Sequence, residues 1–240
     1  MNNLITIYSI CYNEEVMLPH FIEWYRTRFP DCRIVLYDNM STDNTRQIAV
    51  DNNCEIIDYD SNNEIRDDLY LEIKNNCWKT ATTPFVFVGD IDELVDINED
   101  HLRYEQKLGS TMIKFEGWNM INTEPNPKLE INQIIFGSRA FQYDKNYIYN
   151  KDYISEINFS AGCHSSSPIG KIKYSETVYK MYHFKSIDVD YMVKRHLEFG
   201  KRLSQKNLQH SWGIHYLDSE EVIRHNYIYY QTHPELKQVR

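Results

Sequence analysis

The 240-residue sequence has no apolar run close to the roughly 20 residues that cross a membrane as a helix. Its opening, MNNLITIYSI, lacks the positive charges of a secretory signal peptide, so we expect none. The five cysteines are widely spaced and form no CxxC pair, which argues against a zinc knuckle and favours reduced thiols in the cytoplasm. No GxGxxG follows a predicted strand, which excludes the dinucleotide-binding fingerprint of oxidoreductases.

Positive charge is also scarce. The chain has 26 Lys and Arg against 35 Asp and Glu, for a net charge of −9, in an otherwise ordinary globular composition. A chain this acidic is a poor candidate for binding nucleic acid by phosphate neutralisation. A phosphate ligand beside bare carboxylates is repelled by about 4 kcal/mol per close charge pair at an effective dielectric of 20. We therefore expect a cation to accompany any phosphate ligand.

Strand and helix patterns alternate over the first ninety residues. The predicted strands cover residues 4–11, 33–37, 54–59 and 85–88, and the predicted helices cover 14–28, 42–50 and 65–80. This alternation predicts an α/β chain whose mostly parallel central sheet is flanked by helices.

The remainder is less regular. Strands are predicted at 111–115 and 133–136, a loop with two prolines at 122–128, and helices at 186–207 and 219–230. We expect one domain over 1–240, divided into a nucleotide-binding half (1–95), an acceptor-binding half (96–185) and a C-terminal helical extension (186–240).

The helix predicted from residue 186 has a candidate cap at Asp188 and basic residues on its expected outer face. These are Lys194, Arg195, Lys201 and Arg202. Such a face is either solvated or weakly associated with a membrane surface.

Two carboxylates follow the fourth predicted strand, the fully apolar FVFV. Asp90 and Asp92 are separated by one residue. In an open α/β sheet, ligands collect beyond the carboxyl ends of the strands. Hard divalent cations prefer oxygen ligands and keep positions open for substrate phosphates. The motif predicts a site for Mn²⁺ or Mg²⁺, and a solvated acidic turn is the alternative.

Polar segments also follow the first two strands. Asn13 and Glu14 come after the first strand, and Asp38 comes after the second. Each has a structural explanation, as a helix cap or an Asx turn. Polar segments at three successive strand ends favour a shared ligand-binding edge.

The segments CYNEE (11–15), YDNMSTDNT (37–45) and FVFVGDIDEL (85–94) resemble the opening of GT-A fold glycosyltransferases, in particular the family 2-like group and the related family 92-like enzymes. The resemblance is good over residues 4–95, loose to about residue 205, and absent beyond. It implies a GT-A fold, a nucleotide-sugar donor, and transfer of the sugar to an acceptor hydroxyl on a glycan or glycoconjugate. The implied donor is a UDP-sugar, and the implied cofactor is Mn²⁺ or Mg²⁺.

The resemblance also implies residue roles. Asn13 and Glu14 would line the nucleotide pocket, and Asp38 would contact the base. Asp90 would touch the ribose or the metal and its water, and Asp92 would bind the metal.

In such folds a C-terminal histidine often completes the metal site. His183 precedes a capped helix and is the favoured ligand, with His164 as the alternative. Lys185 would then lie near the phosphates. Arg66 would face the diphosphate or the base unless it is a solvated helix residue, and Asp67 is a weaker candidate.

An inverting transferase also needs a base for the acceptor hydroxyl. Glu116 is the candidate, with Trp118 stacking on the acceptor sugar; an exposed strand end and a core tryptophan are the alternatives. The chain lacks the Glu-Asp pair common after the DxD of family 2 enzymes, which leaves the base and the stereochemistry open.

The alternatives to a glycosyltransferase are a nucleotidyltransferase and a binding domain without turnover. A nucleotidyltransferase is disfavoured, because the loop after the first strand is acidic and contains no glycine. The remaining alternative is a catalytically degenerate GT-A domain that binds a glycan or a partner.

Overall fold

The computed structural model describes residues 3–124 and 130–240, which form twelve strands and seven α-helices. The strands are β1 (Ile5–Cys11), β2 (Arg33–Asp38), β3 (Glu55–Asp58), β4 (Phe85–Val88), β5 (Glu93–Val95), β6 (Met112–Ile121), β7 (Phe136–Arg139), β8 (Ile148–Asn150), β9 (Ile154–Glu156), β10 (Ile169–Gly170), β11 (Tyr174–Ser186) and β12 (Lys237–Gln238). The helices are α1 (Leu18–Arg28), α2 (Thr45–Asp51), α3 (Asp67–Asn76), α4 (Glu99–Leu108), α5 (Val189–Arg202), α6 (Gln205–Gln209) and α7 (Glu220–Gln231). Most of the loop predicted at 122–128, with both of its prolines, lies outside the described residues.

The main sheet has the strand order β12-β7-β6-β8-β4-β1-β2-β3. Strands β3, β2, β1 and β4 are mutually parallel, and β8 is antiparallel to both β4 and β6. Strand β11 runs parallel to β6 and carries β5 antiparallel on its other side. The predicted α/β class with a mostly parallel central sheet is confirmed.

Strand β4 shows why the sheet is covered on both faces. Phe85 and Phe87 belong to the core packed under α1, where the rings of Phe87 and Tyr25 lie 4.8 Å apart. Val86 and Val88 point to the other face and join a second core around Trp78. Side chains alternate faces along a strand, so an entirely apolar strand indicates a sheet buried on both sides. No helix in the described ranges is long and apolar enough to cross a membrane.

Several predicted boundaries were wrong. Helix α1 begins at Leu18, not near residue 14, with Pro19 in its first turn, where a missing N–H costs least. Strand β7 starts at Phe136, and residues 131–133 form a short 3₁₀ turn instead. Strand β6 continues to Ile121, well beyond the predicted end at residue 115. Its pattern is interrupted by Gly117, where an added Cβ would lie 2.4 Å from the Cβ of Tyr143.

The basic outer face predicted for α5 is not formed. Lys194 and Lys201 are exposed, but Arg202 is buried and the side chain of Arg195 is only 14% exposed. Both arginines turn toward the loop after β1. The exposed basic surface of this helix is therefore two lysines, which removes the main support for weak membrane association.

Helix α5 has the predicted cap, and it permits a test of the fold. The Asp188 side chain accepts a hydrogen bond from the backbone N–H of Tyr191 at 2.9 Å. We expect Asp188→Ala to lower the free energy of unfolding by about 1 kcal/mol, measured by urea denaturation. Asp188→Asn is the matched control, because asparagine caps as well as aspartate does. An equal loss in both variants would contradict the capping role.

Candidate active site

A cavity of about 480 Å³ opens beyond the carboxyl ends of β1 and β4. It is lined by the turn at 90–93, by residues of α3 and by the loop at 161–164. Helix α5 and the segment 211–216 complete the lining, so the C-terminal extension forms part of the cavity. The position is the edge at which ligands collect in open α/β sheets.

The carboxylate of Glu93 organises the turn that follows β4. Glu93 is buried and accepts hydrogen bonds from the Asp90 N–H at 3.0 Å, the Lys145 ammonium at 2.6 Å and the Tyr147 hydroxyl at 3.2 Å. The side chains of Glu93 and Lys145 are only 2% and 4% exposed. These bonds fix the conformation of the turn, and Asp90 and Asp92 line the cavity.

The first of the two carboxylates, Asp90, has its own buried partner. The ammonium of Lys74, on α3, lies 2.5 Å from Oδ1 of Asp90. Burial on its own would raise the pKa of Asp90, but the positive charges of Lys74 and Lys145 lower it below its usual value. Asp90 is therefore an ionised group whose charge is already compensated by the protein.

The second carboxylate faces a histidine. Nε2 of His183 lies 3.4 Å from Oδ2 of Asp92, and the backbone N–H of Phe184 donates to the Asp92 carbonyl at 2.8 Å. The antiparallel pairing of β11 with β5 sets His183 opposite Glu93 and so beside this turn. Burial opposes ionisation of Asp92, but His183 and more distant cations hold its pKa well below the usual range.

The other nitrogen of His183 is also engaged. Nδ1 lies 2.8 Å from Oδ1 of Asn119, and because an amide oxygen only accepts, the Nδ1–H donates to it. A neutral ring then directs the lone pair of Nε2 at the Asp92 carboxylate, which places two acceptors face to face. A proton on Nε2 or a cation between the two atoms removes this conflict.

The pair Asp92–His183 fits a divalent cation as two of its ligands. At metal–ligand distances of about 2.1 Å, neighbouring octahedral ligands lie about 3 Å apart, close to the observed separation. The part of the chain that the structure describes holds no cluster of three or more His, Cys, Asp or Glu arranged for a metal. The remaining ligands would have to come from water or from a bound phosphate, as Mg²⁺ commonly requires.

The charges around the cavity are balanced. The lining carboxylates are Glu14, Asp67, Asp90, Asp92 and Glu93, and the lining Lys and Arg residues are Lys74, Lys145, Lys185, Arg195 and Arg202. A diphosphate would add negative charge to this balanced set, so its binding favours an additional cation.

Arg195 ties helix α5 to the loop after β1. Its Nη1 donates to the carbonyls of Tyr12 at 3.2 Å and Asn13 at 3.1 Å, and its Nη2 contacts the Glu14 carboxylate. Burial raises the pKa of Glu14 to about 7, and Arg195 opposes that rise. Glu14 lines the cavity at the place predicted for a nucleotide.

Asn13 and Asp38 do not line the cavity. The Asn13 side chain accepts from the Thr42 N–H at 2.8 Å, with its own backbone at φ +52°. Asp38 is buried, and its carboxylate accepts from the Ser41 hydroxyl and pairs with Arg46, each at 2.5 Å. Both side chains instead bond to residues between 41 and 46, in the segment that follows β2.

Of the other predicted site residues, some line the cavity and some do not. Lys185 lines the cavity, and burial lowers its pKa to about 8 although Asp92 opposes the change. Asp67 also lines it, whereas Arg66 pairs with Asp68 at 2.7 Å and does not.

Glu116 was expected at a strand end beside the reacting group. It lies instead in the middle of β6, because that strand continues to Ile121, and its carboxylate accepts from the Trp118 indole at 3.1 Å. Glu116 does not line the cavity, and Trp118 is buried in the core.

Sequence reasoning missed Lys74 and Lys145, each a single basic residue without a motif around it, and it placed Arg195 on the outer face of its helix. The one available signal was that a buried acidic turn needs compensating charge, which predicts lysines or arginines nearby but not their positions.

No protein-family model and no curated protein matches the chain. Solved structures match over most of its length. S. aureus TarS is 15% identical with a TM-score of 0.47, over 92% of this chain and 43% of TarS, so the chain spans less than half of that protein. TarS 1–349 in complex with UDP-GlcNAc is 14% identical with a TM-score of 0.46, over 94% of this chain and 71% of that one.

A further match is glucosyl-3-phosphoglycerate synthase from Mycobacterium tuberculosis in complex with Mn²⁺, UDP-glucose and phosphoglyceric acid. It is 13% identical with a TM-score of 0.39, over 68% of this chain and 62% of that one. At these identities and TM-scores the likeness assigns no activity, so any function must be argued from the chemistry of the cavity.

The buried pair beneath the turn gives a test of the site's construction. We expect Lys145→Met to lower the free energy of unfolding by about 3–5 kcal/mol, because it leaves the Glu93 carboxylate buried without its cation. Urea denaturation measures the loss.

The double variant Lys145→Met/Glu93→Gln is the control. It removes both charges together, so much of the lost stability should return. A double variant as unstable as the sum of its single changes would mean that the two residues do not act as a pair.

Proposed function

We propose that the protein is a metal-dependent glycosyltransferase of the GT-A fold. It would move a sugar from a nucleotide-sugar donor to a hydroxyl group on a glycan or glycoconjugate. The choice of a UDP-sugar follows the sequence resemblance of residues 4–95, and membership of the family 2-like or family 92-like group stays a prediction.

The observation that carries the proposal is the pairing of Asp92 with His183 at the open edge of the sheet. A carboxylate and an imidazole from separate parts of the chain meet there with their donor atoms 3.4 Å apart. The imidazole is oriented by Asn119 behind it, as expected of a metal-binding histidine. The cavity beyond them has room for a ligand.

Asp92 and His183 would hold Mn²⁺ or Mg²⁺, which when bound supplies Lewis-acid stabilisation of a departing diphosphate. The remaining functions belong to the chain's own side chains. Asp90, paired with Lys74, fixes the shape of the motif. Lys185 lines the cavity, where its positive charge would attract the phosphates of the donor. Glu14 lines the part of the cavity proposed to hold the nucleotide.

A glycan-binding or partner-binding domain without turnover is the alternative function. It needs neither a compensated carboxylate motif nor a histidine oriented toward it, and both features are present. The two functions differ in one measurable property, metal-dependent binding of a nucleotide.

Calorimetric titration with UDP, with and without Mn²⁺, tests the proposed function. We expect wild-type protein to bind UDP only with Mn²⁺. Asn119→Ala should weaken that binding about 10-fold to 100-fold, because it releases the His183 ring, and Asp92→Asn should weaken it more.

Asp31→Asn is the matched control, because Asp31 is exposed and does not line the cavity. Wild-type affinity in Asp92→Asn would overturn the metal assignment. Failure of the folded wild-type protein to bind any nucleoside diphosphate would favour the binding-domain alternative.

A further inference from the structure

His164 stands in the cavity with one ring nitrogen committed and the other uncommitted. Nδ1 lies 2.9 Å from the carbonyl oxygen of Gln142. A carbonyl oxygen only accepts, so Nδ1 carries the hydrogen, and in the neutral ring Nε2 carries a lone pair. The residue is exposed and lines the cavity, and no described residue hydrogen-bonds to Nε2.

The neighbouring glycine makes room for this ring. Gly162 has φ +70°, and a Cβ added there would lie 2.8 Å from Cδ2 of His164 and 3.0 Å from its Nε2. A side chain at position 162 would therefore displace the imidazole. Glycine at position 162 therefore leaves space for the Nε2 side of the His164 ring.

His164 lies one aromatic ring away from the proposed metal pair. The Tyr143 ring is 4.1 Å from the ring of His183 and 5.7 Å from the ring of His164. His164, Tyr143 and His183 all line the cavity, so a base at His164 and a cation at His183 would act on the same bound donor. In a direct displacement the base accepts the proton of the attacking hydroxyl while the cation stays with the leaving phosphate.

The carboxylates of the cavity are poor rivals for this role. Asp90 and Glu93 are paired with lysines, Asp92 faces His183, and Glu14 contacts Arg195. Asp67 remains as the one lining carboxylate without a salt bridge among the described residues.

The other lining histidines are also engaged. Nε2 of His215 lies 3.5 Å from the Lys185 ammonium, and His196 is buried, with Nδ1 against the Met192 carbonyl.

The charged groups around His164 favour the neutral ring. Although the residue is exposed overall, partial desolvation of its ring lowers the pKa most and Lys145 lowers it further, while the hydrogen bond to Gln142 and the charges of Glu93 and Asp90 oppose the change. The Tyr143 ring packs against it, and the His215 imidazole also lies within electrostatic range. The net shift is downward, so the lone pair on Nε2 is available at neutral pH.

We propose that His164 is the catalytic base of the transfer reaction, which rests on the proposed function above. Its Nε2 takes the proton of the acceptor hydroxyl as that oxygen bonds to the anomeric carbon. The bond from the anomeric carbon to the diphosphate oxygen breaks, and its electron pair leaves with the nucleoside diphosphate. With water as acceptor, the same step yields free sugar and UDP.

The test measures release of UDP from UDP-glucose, UDP-galactose and UDP-GlcNAc in the presence of Mn²⁺, with water as acceptor. We expect His164→Ala and His164→Gln to lower the rate with the best donor about 100-fold or more. Affinity for UDP and Mn²⁺ should stay within about two-fold of wild type, because the base acts on the acceptor. His225→Ala, in an exposed part of α7, is the control.

Chemical rescue separates a base from a structural histidine. Added imidazole should restore UDP release to His164→Ala but not to His164→Gln, whose side chain fills the space. The wild-type rate should rise with pH through a pKa below 6.5 and then level off. In the rescued variant, this rise should move to the pKa of the added imidazole.

The outcomes distinguish the two proposals. No Mn²⁺-dependent UDP binding by wild type contradicts the proposed function itself. Normal binding with equal UDP release by wild type and His164→Ala contradicts only the role of His164. Normal binding with no release by wild type from any donor contradicts transfer itself and favours the binding-domain alternative. A comparable loss in Asp67→Asn, with His164→Ala unaffected, would assign the base to Asp67.

Discussion

The site depends on one buried ion pair, Lys145 with Glu93. Removing both charges from water is expensive, and the cost is recovered only if each lone pair and proton is satisfied. Here the Glu93 carboxylate also accepts from the Tyr147 hydroxyl and from the backbone of Asp90. These bonds define the conformation of residues 90–93. Asp90 and Asp92 are therefore positioned by Glu93, whose own charge is already paired with Lys145.

The second constraint is the path of β11. This strand lies between β6 and β5. Residues near position 183 therefore lie beside the acidic turn at 90–93, although the two segments are far apart in the sequence. The register of β11 places His183 next to Asn119 on one side and next to Glu93 on the other. The imidazole is thereby oriented before any ligand arrives. This preorganisation matters because only two protein ligands would hold the cation. Ordering a mobile side chain on binding would then cost a large share of the binding free energy.

The sequence was informative where local pattern and position coincide. The polar segments after β1, β2 and β4 were predicted because strand ends are visible in the chain, and Asp92 and Glu14 do line the cavity. Glu116 was predicted at a strand end because Gly117 interrupts the strand pattern. The glycine is needed because Tyr143 packs closely against it, and that tertiary contact cannot be predicted from the local sequence. Arg195 was predicted to be exposed because a polar helix face usually points to solvent. Here the polar loop after β1 packs against that face, which the helix pattern alone cannot show.

The packing of Arg195 also changes the meaning of the C-terminal extension. One guanidinium holds the carbonyls of Tyr12 and Asn13 together with the carboxylate of Glu14, and Arg202 lies 3.3 Å from the centre of the Tyr12 ring. Asn13 has a left-handed backbone, a conformation that persists only where its surroundings enforce it. The loop after β1 is thus completed by residues more than 180 positions away. A part of the chain with only a loose resemblance to the family therefore fixes the shape of the part with the strongest resemblance.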